Sequence, residues 1–294
     1  MKNIGYLGLG VMGYGMTDNL MRKSDADTTV WGYDPVPAAR ERFAANGGKA
    51  VDDAKELYRA CDVIFFCLPT NDIVRATILE ITETAKKGTT IVDMGASSPY
   101  LIQEMHQIAL ERGYDLLDAP VSGGKIGADA GTLVIMCGGE KEVFDRVKPY
   151  LEMMGKTVTY MGKSGCGSMS KVANNMMVGI HLAAMGEAYA LAVKAGLDPK
   201  TLFDAIHAGF AQSAVMDEKL PKVLRRDFEA TARIAVHYKD VHNAMDMSRK
   251  LGVDLPLTHI VEQQMDWIND HGLINEDQAA MVKYYEDSMG VTIE

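Results

Sequence analysis

The sequence predicts an α/β domain with a mainly parallel sheet, followed by an all-helical domain. Up to about residue 161, short apolar runs bounded by Gly and Pro alternate with helix-length segments, which is typical of βαβ units. After residue 167, apolar residues recur at helical spacing and no strand pattern competes. A length of 294 residues also favours two domains over one. We expect the domains at residues 1–163 and 164–294, divided at the glycine-rich run that begins at Gly162.

Seven short apolar runs are the predicted strands of the first domain. They are Ile4–Leu7, Thr29–Tyr33, Val63–Leu68, Thr90–Asp93, Leu116–Asp118, Leu133–Cys137 and Val158–Met161. Helices are predicted between them at Met12–Lys23, Val36–Ala45, Pro99–Arg112 and Glu140–Tyr150.

The second domain opens with one long predicted helix over Ser168–Lys194, a stretch without proline in which apolar residues follow a helical period. Further helices are predicted at Pro199–Ala208, Ala235–Lys250, Leu257–Asn269 and Asp277–Ser288.

The composition excludes several classes of protein. The 40 acidic and 30 basic side chains give a net charge of -10, which argues against a nucleic-acid-binding surface, so an anionic substrate would need a local cationic pocket. The four cysteines show no CxxC spacing and no signal segment precedes the first strand, which indicates a cytoplasmic protein with reduced thiols. No apolar stretch approaches the roughly 20 residues that span a bilayer, so we expect no membrane contact. The seven histidines form no HExxH motif, and no metal site is expected.

A glycine-rich loop lies between the first predicted strand and the first helix. In such a GxGxxG loop the glycines permit a tight turn and bring backbone N–H groups close to a pyrophosphate at the helix N-terminus. This context predicts a Rossmann-type dinucleotide-binding domain. The predicted cofactor-binding loop consists of Gly8, Leu9, Gly10, Val11, Met12 and Gly13.

Asp34 ends the second predicted strand, 21 residues after Gly13. A carboxylate at this place accepts hydrogen bonds from the adenosine ribose hydroxyls and repels a 2′-phosphate, which favours NAD over NADP. In the alternative interpretation Asp34, which precedes Pro35, only starts a turn or caps the next helix.

A third cluster, Asp118-Ala-Pro-Val-Ser-Gly-Gly124, follows a strand and so lies at the carboxyl edge of the sheet, where ligands of open α/β sheets bind. The Ser122 hydroxyl and the amides of Gly123 and Gly124 are suited to hold a carboxylate. The alternative is an ordinary Ser-Gly-Gly turn.

Lys171 and Asn175 are four residues apart on the long predicted helix, so they share one helix face. Apolar neighbours such as Val172 and Met176 suggest a half-buried helix, and desolvation lowers the pKa of a lysine toward the range of an acid/base. Asn175 is placed to hold a substrate hydroxyl. Alternatively, Lys171 is a solvated surface lysine, and Asn174 and Asn175 are a polar pair in the helix interior.

Taken together, these motifs resemble the β-hydroxyacid dehydrogenase family over the whole chain. Its signatures match the glycine loop with Asn19, the Asp118–Gly124 segment, and the run from Gly162 to Asn175. The pair Lys239-Asp240, which alone is typical of a solvated helix face, resembles its fourth motif.

The resemblance implies a role for each predicted site residue. Lys171 would be the general acid/base, and Ser122, Gly123 and Asn175 would hold the substrate. Leu68, Pro69 and Ala96 would lie beside the cofactor, with Lys239 at its nicotinamide end. The helical part would form dimers or tetramers.

Two positions depart from the family pattern. Gly15 stands where proline or alanine is common. Gly95-Ala96 replaces a usual pair of hydroxyl residues beside the cofactor, and Ser97 is the candidate substitute.

The function implied is an NAD-dependent oxidoreductase that interconverts a short β-hydroxy acid and its semialdehyde. The segments Ile234–Asp246 and Asp277–Glu286 look most like tartronate semialdehyde reductases, while 2-(hydroxymethyl)glutarate and 3-hydroxyisobutyrate stay open as substrates. Asn174 and Val178 replace the histidine and glutamate of decarboxylating phosphogluconate dehydrogenases, and Lys171 argues against an imine reductase. A non-catalytic dinucleotide-binding protein is the alternative of another class.

Overall fold

The computed structural model describes residues 2–294. Its internal contacts group the chain into two compact units, one ending at Lys171 and the other running from Val172 to Glu294. A single helix continues across this division. The domain limits at residue 163 stay a prediction.

The first unit is built on a nine-stranded sheet, which confirms the predicted α/β class. The strand order is β3-β2-β1-β4-β5-β6-β8-β7, with β9 paired to β8. Strands β1 to β6 are mutually parallel, and only the pairs of β8 with β6 and β7 are antiparallel. The strands are β1 (Lys2–Leu7), β2 (Thr28–Tyr33), β3 (Lys49–Ala50), β4 (Val63–Phe66), β5 (Thr90–Asp93), β6 (Asp115–Asp118), β7 (Val121–Ser122), β8 (Leu133–Gly138) and β9 (Gly155–Gly162).

Seven helices lie in this unit before the long helix begins. They are α1 (Val11–Lys23), α2 (Pro37–Ala45), α3 (Ala54–Ala60), α4 (Asn71–Thr84), α5 (Pro99–Glu111), α6 (Gly124–Ala130) and α7 (Lys141–Met154). Five elements of this unit have no counterpart among those predicted from the sequence: the helices α3, α4 and α6 and the two-residue strands β3 and β7. In the second unit, no helix was predicted over Ala214–Leu224.

Both faces of the sheet are covered by apolar cores, as expected for a parallel sheet with helices on either side. Side chains alternate along β4, where all four residues are buried. Val63 and Phe65 join the core on one face, and Ile64 and Phe66 join the core on the other. The loops that follow these strands therefore start from a sheet that is packed on both faces.

The second unit contains no strand in residues 172–294, which confirms the predicted all-helical character of this part. Its helices are α8 (Cys166–Lys194, beginning in the first unit), α9 (Pro199–Ile206), α10 (Ala214–Leu224), α11 (Ile234–Leu251), α12 (Pro256–Asp270) and α13 (Val282–Met289), with a 3₁₀ turn at Gln278–Met281. They enclose a separate apolar core.

Helix α8 corrects the expectation that no stretch of the chain is long and apolar enough to span a bilayer. Its 29 residues include an 18-residue window of mean hydropathy 1.5, so by length and composition it is able to cross a membrane. Polar residues interrupt this stretch, so the sequence shows no uninterrupted apolar run. Few of its residues are charged, however, and its mean hydropathy is therefore high. The core helix of a soluble protein passes the same test, so a single helix of this kind is weak evidence for a membrane span.

Candidate active site

The glycine loop between β1 and α1 has the geometry of a phosphate-binding turn. Gly8 has φ +89, and a Cβ on it would lie 2.6 Å from the Cys67 carbonyl oxygen. A Cβ on Gly13 would lie 1.8 Å from the Gly8 oxygen, whereas one on Gly10 would meet no protein atom within 4 Å. No side chain caps α1. The first N–H groups of a helix have no intrahelical acceptor, so this loop fits a pyrophosphate.

Asp34 is buried at the end of β2 and accepts two backbone hydrogen bonds. The N–H of Leu9 donates to Oδ2 at 2.8 Å, and the N–H of Val36 donates to Oδ1 at 2.9 Å. Asp34 therefore forms a turn, as the alternative interpretation held, and also fixes the glycine loop. It does not cap α2, whose N-cap is Val36. A carboxylate offers about four acceptor positions, so both oxygens retain capacity for ribose hydroxyls.

Predicted site residues follow the carboxyl ends of neighbouring parallel strands in the first unit. The order β2-β1-β4-β5-β6 brings these ends together along one edge of the sheet. The chain runs from β1 to β2 and β3 on one side and then crosses from β3 to β4 on the other side of β1, which makes the β1/β4 boundary the switch point where open α/β sheets bind ligands. The residues that follow these strands are Gly8 after β1, Asp34 after β2, Leu68 and Pro69 after β4, Ala96 after β5, and Ser122 after β6.

The loop after β5 is held by Asp93, which is fully buried. The Gly95 N–H donates to Asp93 Oδ1 at 2.8 Å, and the Ser97 hydroxyl donates to Oδ2. The Ser97 proton is thus engaged within the loop. A side chain at position 95 would be tight, because a Cβ there would lie 3.1 Å from the Asp93 carboxylate.

The Ser122-Gly123-Gly124 segment joins β7 to the short helix α6. Gly123 has φ +127 and Gly124 has φ +57, conformations that other residues rarely adopt. The glycines are thus required by the turn itself, and Ser122 at the end of β7 is half-buried. The turn interpretation therefore holds, and it is compatible with a binding role.

Helix α6 is tied to α1 through the buried Asn19. The Asn19 amide donates to the carbonyls of Ala128 at 2.9 Å and Asp129 at 3.1 Å, near the end of α6. Gly15 permits this approach, because a Cβ there would lie 2.7 Å from the Ala128 carbonyl carbon. Helix α1, which follows the glycine loop, therefore positions helix α6, which follows Ser122.

Lys171 lies in the second turn of α8 and is half-buried. The start of this helix is held by Asp118, the last residue of β6, which is fully buried. The N–H groups of Gly165 and Ser168 donate to its two carboxylate oxygens at 2.9 and 2.6 Å. Burial raises the pKa of the Asp118 carboxyl, and these two donors partly oppose the shift.

Asn175 lies four residues beyond Lys171 on the same helix and is buried in the second unit. Its amide nitrogen donates to Asp240 Oδ2 at 2.5 Å, and its side-chain oxygen accepts from Asn174 at 2.9 Å. Lys239 Nζ lies 3.4 Å from Asp240 Oδ1. Asp240 is buried rather than part of a solvated face, and the amide of Asn175 has a fixed orientation.

Asn19, Asp118 and Asp240 lie within motifs recognised in the sequence, but neither these residues nor Asp93 were predicted to hold the site in place. Asp93, Asp118 and Asp240 each bond to a predicted site segment from a buried position, and the buried Asn19 bonds to the end of α6. For Asp93 and Asp118 a signal was available, since a carboxylate at the end of an apolar strand needs donors nearby. In residues 2–294 no group of three metal-ligating side chains is found.

Two family models match the chain in succession. Residues 3–162 match the NAD binding domain of 6-phosphogluconate dehydrogenase. Residues 165–285 match the NAD-binding domain of NADP-dependent 3-hydroxyisobutyrate dehydrogenase.

Characterised relatives match almost end to end. A 2-(hydroxymethyl)glutarate dehydrogenase from Eubacterium barkeri is 35% identical, with 99% of this chain and 97% of the relative covered. A 2-hydroxy-3-oxopropionate reductase from Escherichia coli K12 is 36% identical, with 96% and 97% covered. The solved structure of Mycobacterium tuberculosis 3-hydroxyisobutyrate dehydrogenase with L-serine has a TM-score of 0.87 at 33% identity, covering 96% of this chain and 98% of that one.

These matches and the geometry of the glycine loop define an oxidoreductase that uses a nicotinamide dinucleotide and acts on CH–OH groups. The chain belongs to the β-hydroxyacid dehydrogenase family, as the sequence motifs predicted.

Proposed function

We propose that this enzyme interconverts a short β-hydroxy acid and its semialdehyde with NAD, and that tartronate semialdehyde is its substrate. The carrying observation is the shared carboxyl edge of the sheet in the first unit, where the cofactor loop, Asp34 and the Ser122 segment follow parallel strands. The similarity to the 2-hydroxy-3-oxopropionate reductase of E. coli supports this substrate, because 2-hydroxy-3-oxopropionate is another name for tartronate semialdehyde.

In the mechanism we propose, each predicted residue has one task. The loop amides near Gly10 and Val11 hold the pyrophosphate, and Asp34 accepts from the ribose hydroxyls. Leu68, Pro69 and Ala96 flank the cofactor, and Lys239 contacts its nicotinamide end. When bound, the nicotinamide would supply hydride transfer to or from the reacting carbon.

The remaining residues bind the substrate and move its proton. Ser122, with the Gly123 and Gly124 amides, binds the carboxylate. Neutral Lys171 accepts the hydroxyl proton at Nζ during oxidation, and its ammonium form returns a proton to the carbonyl oxygen during reduction. Asn175, whose amide is oriented by Asp240, holds the same oxygen.

A panel of semialdehydes and β-hydroxy acids, each with NAD and NADP cofactors, tests this proposal through nicotinamide absorbance. We expect the highest kcat/KM for tartronate semialdehyde with NADH. The 35% identity to the 2-(hydroxymethyl)glutarate enzyme makes that acid the second candidate, and 3-hydroxyisobutyrate the third. Absence of turnover on the whole panel would instead favour a non-catalytic dinucleotide-binding protein.

We further propose a cytoplasmic homodimer or homotetramer that contacts neither nucleic acid nor membrane. All four cysteines are free, which suits a reducing compartment. On α8, Met177 and Leu191 are about 60% exposed in the single chain (59% and 62%), and exposed apolar side chains of this kind mark interfaces when they form a patch. Light scattering at assay concentration should give a multiple of 32.1 kDa, and a fully active monomer would contradict the assembly.

A further inference from the structure

We propose that Asp118 is a positioning residue that fixes the first turn of α8 and thereby the place of Lys171 Nζ. The inference rests on the proposed function, in which Lys171 transfers the substrate proton. It gives the aspartate of the Asp118–Gly124 segment a task separate from substrate binding.

The carboxylate of Asp118 is itself rigidly placed. Asp118 ends β6 and is registered with Asp93 of β5 on one side and Gly138 of β8 on the other. Its two oxygens accept from Gly165, just before α8, and from Ser168 in the first turn of that helix. N–H groups at a helix start have no intrahelical acceptor, so the carboxylate supplies two partners that the helix lacks.

Two glycines show independently that this turn packs directly on strand backbone. A Cβ on Gly167 would lie 2.3 Å from the Met136 carbonyl oxygen, and one on Gly138 would lie 2.7 Å from the Gly167 nitrogen. The turn therefore has no room to move toward the sheet. The two hydrogen bonds that Gly165 and Ser168 donate to Asp118 oppose movement away from the sheet.

Lys171 is three residues after Ser168, within one helical turn of the anchored N–H. A displacement of the first turn therefore carries the lysine with it. Misplacing a reacting group by about 1 Å lowers a rate by roughly a hundredfold.

The test is Asp118→Asn, with Asp115→Asn at the start of the same strand as the matched control. The asparagine amide has one acceptor oxygen, and its NH₂ group would face a backbone N–H, so only one of the two bonds is retained. We expect amide hydrogen exchange to accelerate at Gly165 and Ser168. We also expect kcat to fall by roughly a hundredfold, the acid/base limb of the kcat–pH profile to shift, and the cofactor Kd to stay unchanged. The control should match the parent in all four measurements.

Unchanged exchange at both amides would overturn the anchor, and faster exchange with parental kcat would overturn its effect on Lys171. If Asp118→Asn does not fold, Gly167→Ala keeps the carboxylate but pushes the turn off the strand, and it should show the same loss of kcat with parental cofactor Kd. Parental kcat in that variant also refutes the proposal. A parent protein that turns over no panel substrate marks failure of the proposed function instead, and the exchange measurement still decides whether Asp118 holds the turn.

Discussion

Replacing Asp34 with alanine should have two separable effects on cofactor use. The first acts on the glycine loop, because Asp34→Ala removes the acceptor of the Leu9 and Val36 N–H groups. Leu9 is fully buried, and a buried N–H without an acceptor costs about 1–3 kcal/mol. If the whole penalty falls on the bound state, kcat/KM drops roughly 5- to 140-fold for NADH and NADPH alike.

The second effect separates the two cofactors. The ribose of NADH loses hydrogen bonds to a charged acceptor, which contribute about 1.5–3 kcal/mol, whereas NADPH carries a phosphate at the 2′ position and has no such bond to lose there. The NADH/NADPH ratio of kcat/KM should therefore fall about 10- to 140-fold. Relief of repulsion on the 2′-phosphate adds to the change in the same direction.

The assay is steady-state kinetics with both cofactors at saturating substrate. Glu41→Ala is the matched control. Glu41 is an exposed acidic residue on α2, so its replacement removes the same charge without altering the glycine loop. We expect its ratio to equal that of the parent. A parallel fall for both cofactors in Asp34→Ala, at constant ratio, would show that Asp34 shapes the loop only and would refute its role in selectivity.

Three further outcomes are expected. Lys171→Ala should lower kcat by about two to four orders of magnitude while nicotinamide fluorescence titration gives the parental cofactor Kd; near-parental turnover would exclude Lys171 as the acid/base. Replacing the substrate carboxylate with a methyl ester should lower kcat/KM roughly thirtyfold. Ser122→Ala should reduce this difference in kcat/KM between the acid and its ester. Equal turnover of acids and esters would rule out the carboxylate site. Asn19→Ala removes the amide that donates to the Ala128 and Asp129 carbonyls and so loosens the attachment of α6 to α1. Substrate KM should therefore rise more than cofactor Kd, and a selective loss of cofactor binding would contradict the link through α6.

The sequence predicted the fold because its apolar patterns match the local periods of strands and helices. The runs at Ile4–Leu7 and Thr90–Asp93 both became strands, and the long α8 was recognised from its spacing. No helix was predicted where α10 forms, and Pro221 lies inside it; Pro149 lies inside α7, which was predicted, so an internal proline alone does not decide whether a helix forms. Strands β3 and β7 have two residues each, too few for any periodicity to appear.

The glycine loop and the Ser122 segment were recognised as candidate sites because the residues of each motif are adjacent in the sequence. The supports of the candidate site were not recognised, because they depend on contacts between distant parts of the chain. Asp118 and Ser168 are 50 residues apart, and Asn19 and Ala128 are 109 apart. Neither pair leaves a local pattern in the sequence.

The close approach of α6 at Gly15 limits how this domain can be recombined with others of its family. An exchange of the cofactor loop between family members would replace the loop together with the start of α1, which includes position 15. The residues that contact this position, Ala128 and Asp129, lie far outside the exchanged segment. A donor loop with alanine or proline at this position would bring a side chain to within 2.7 Å of the acceptor's α6 backbone. The helix that begins at Gly124 would have to shift, so an exchange made to alter cofactor choice would also disturb the segment that we propose binds the substrate. A chimera of this kind should therefore carry the donor's α6 together with its loop.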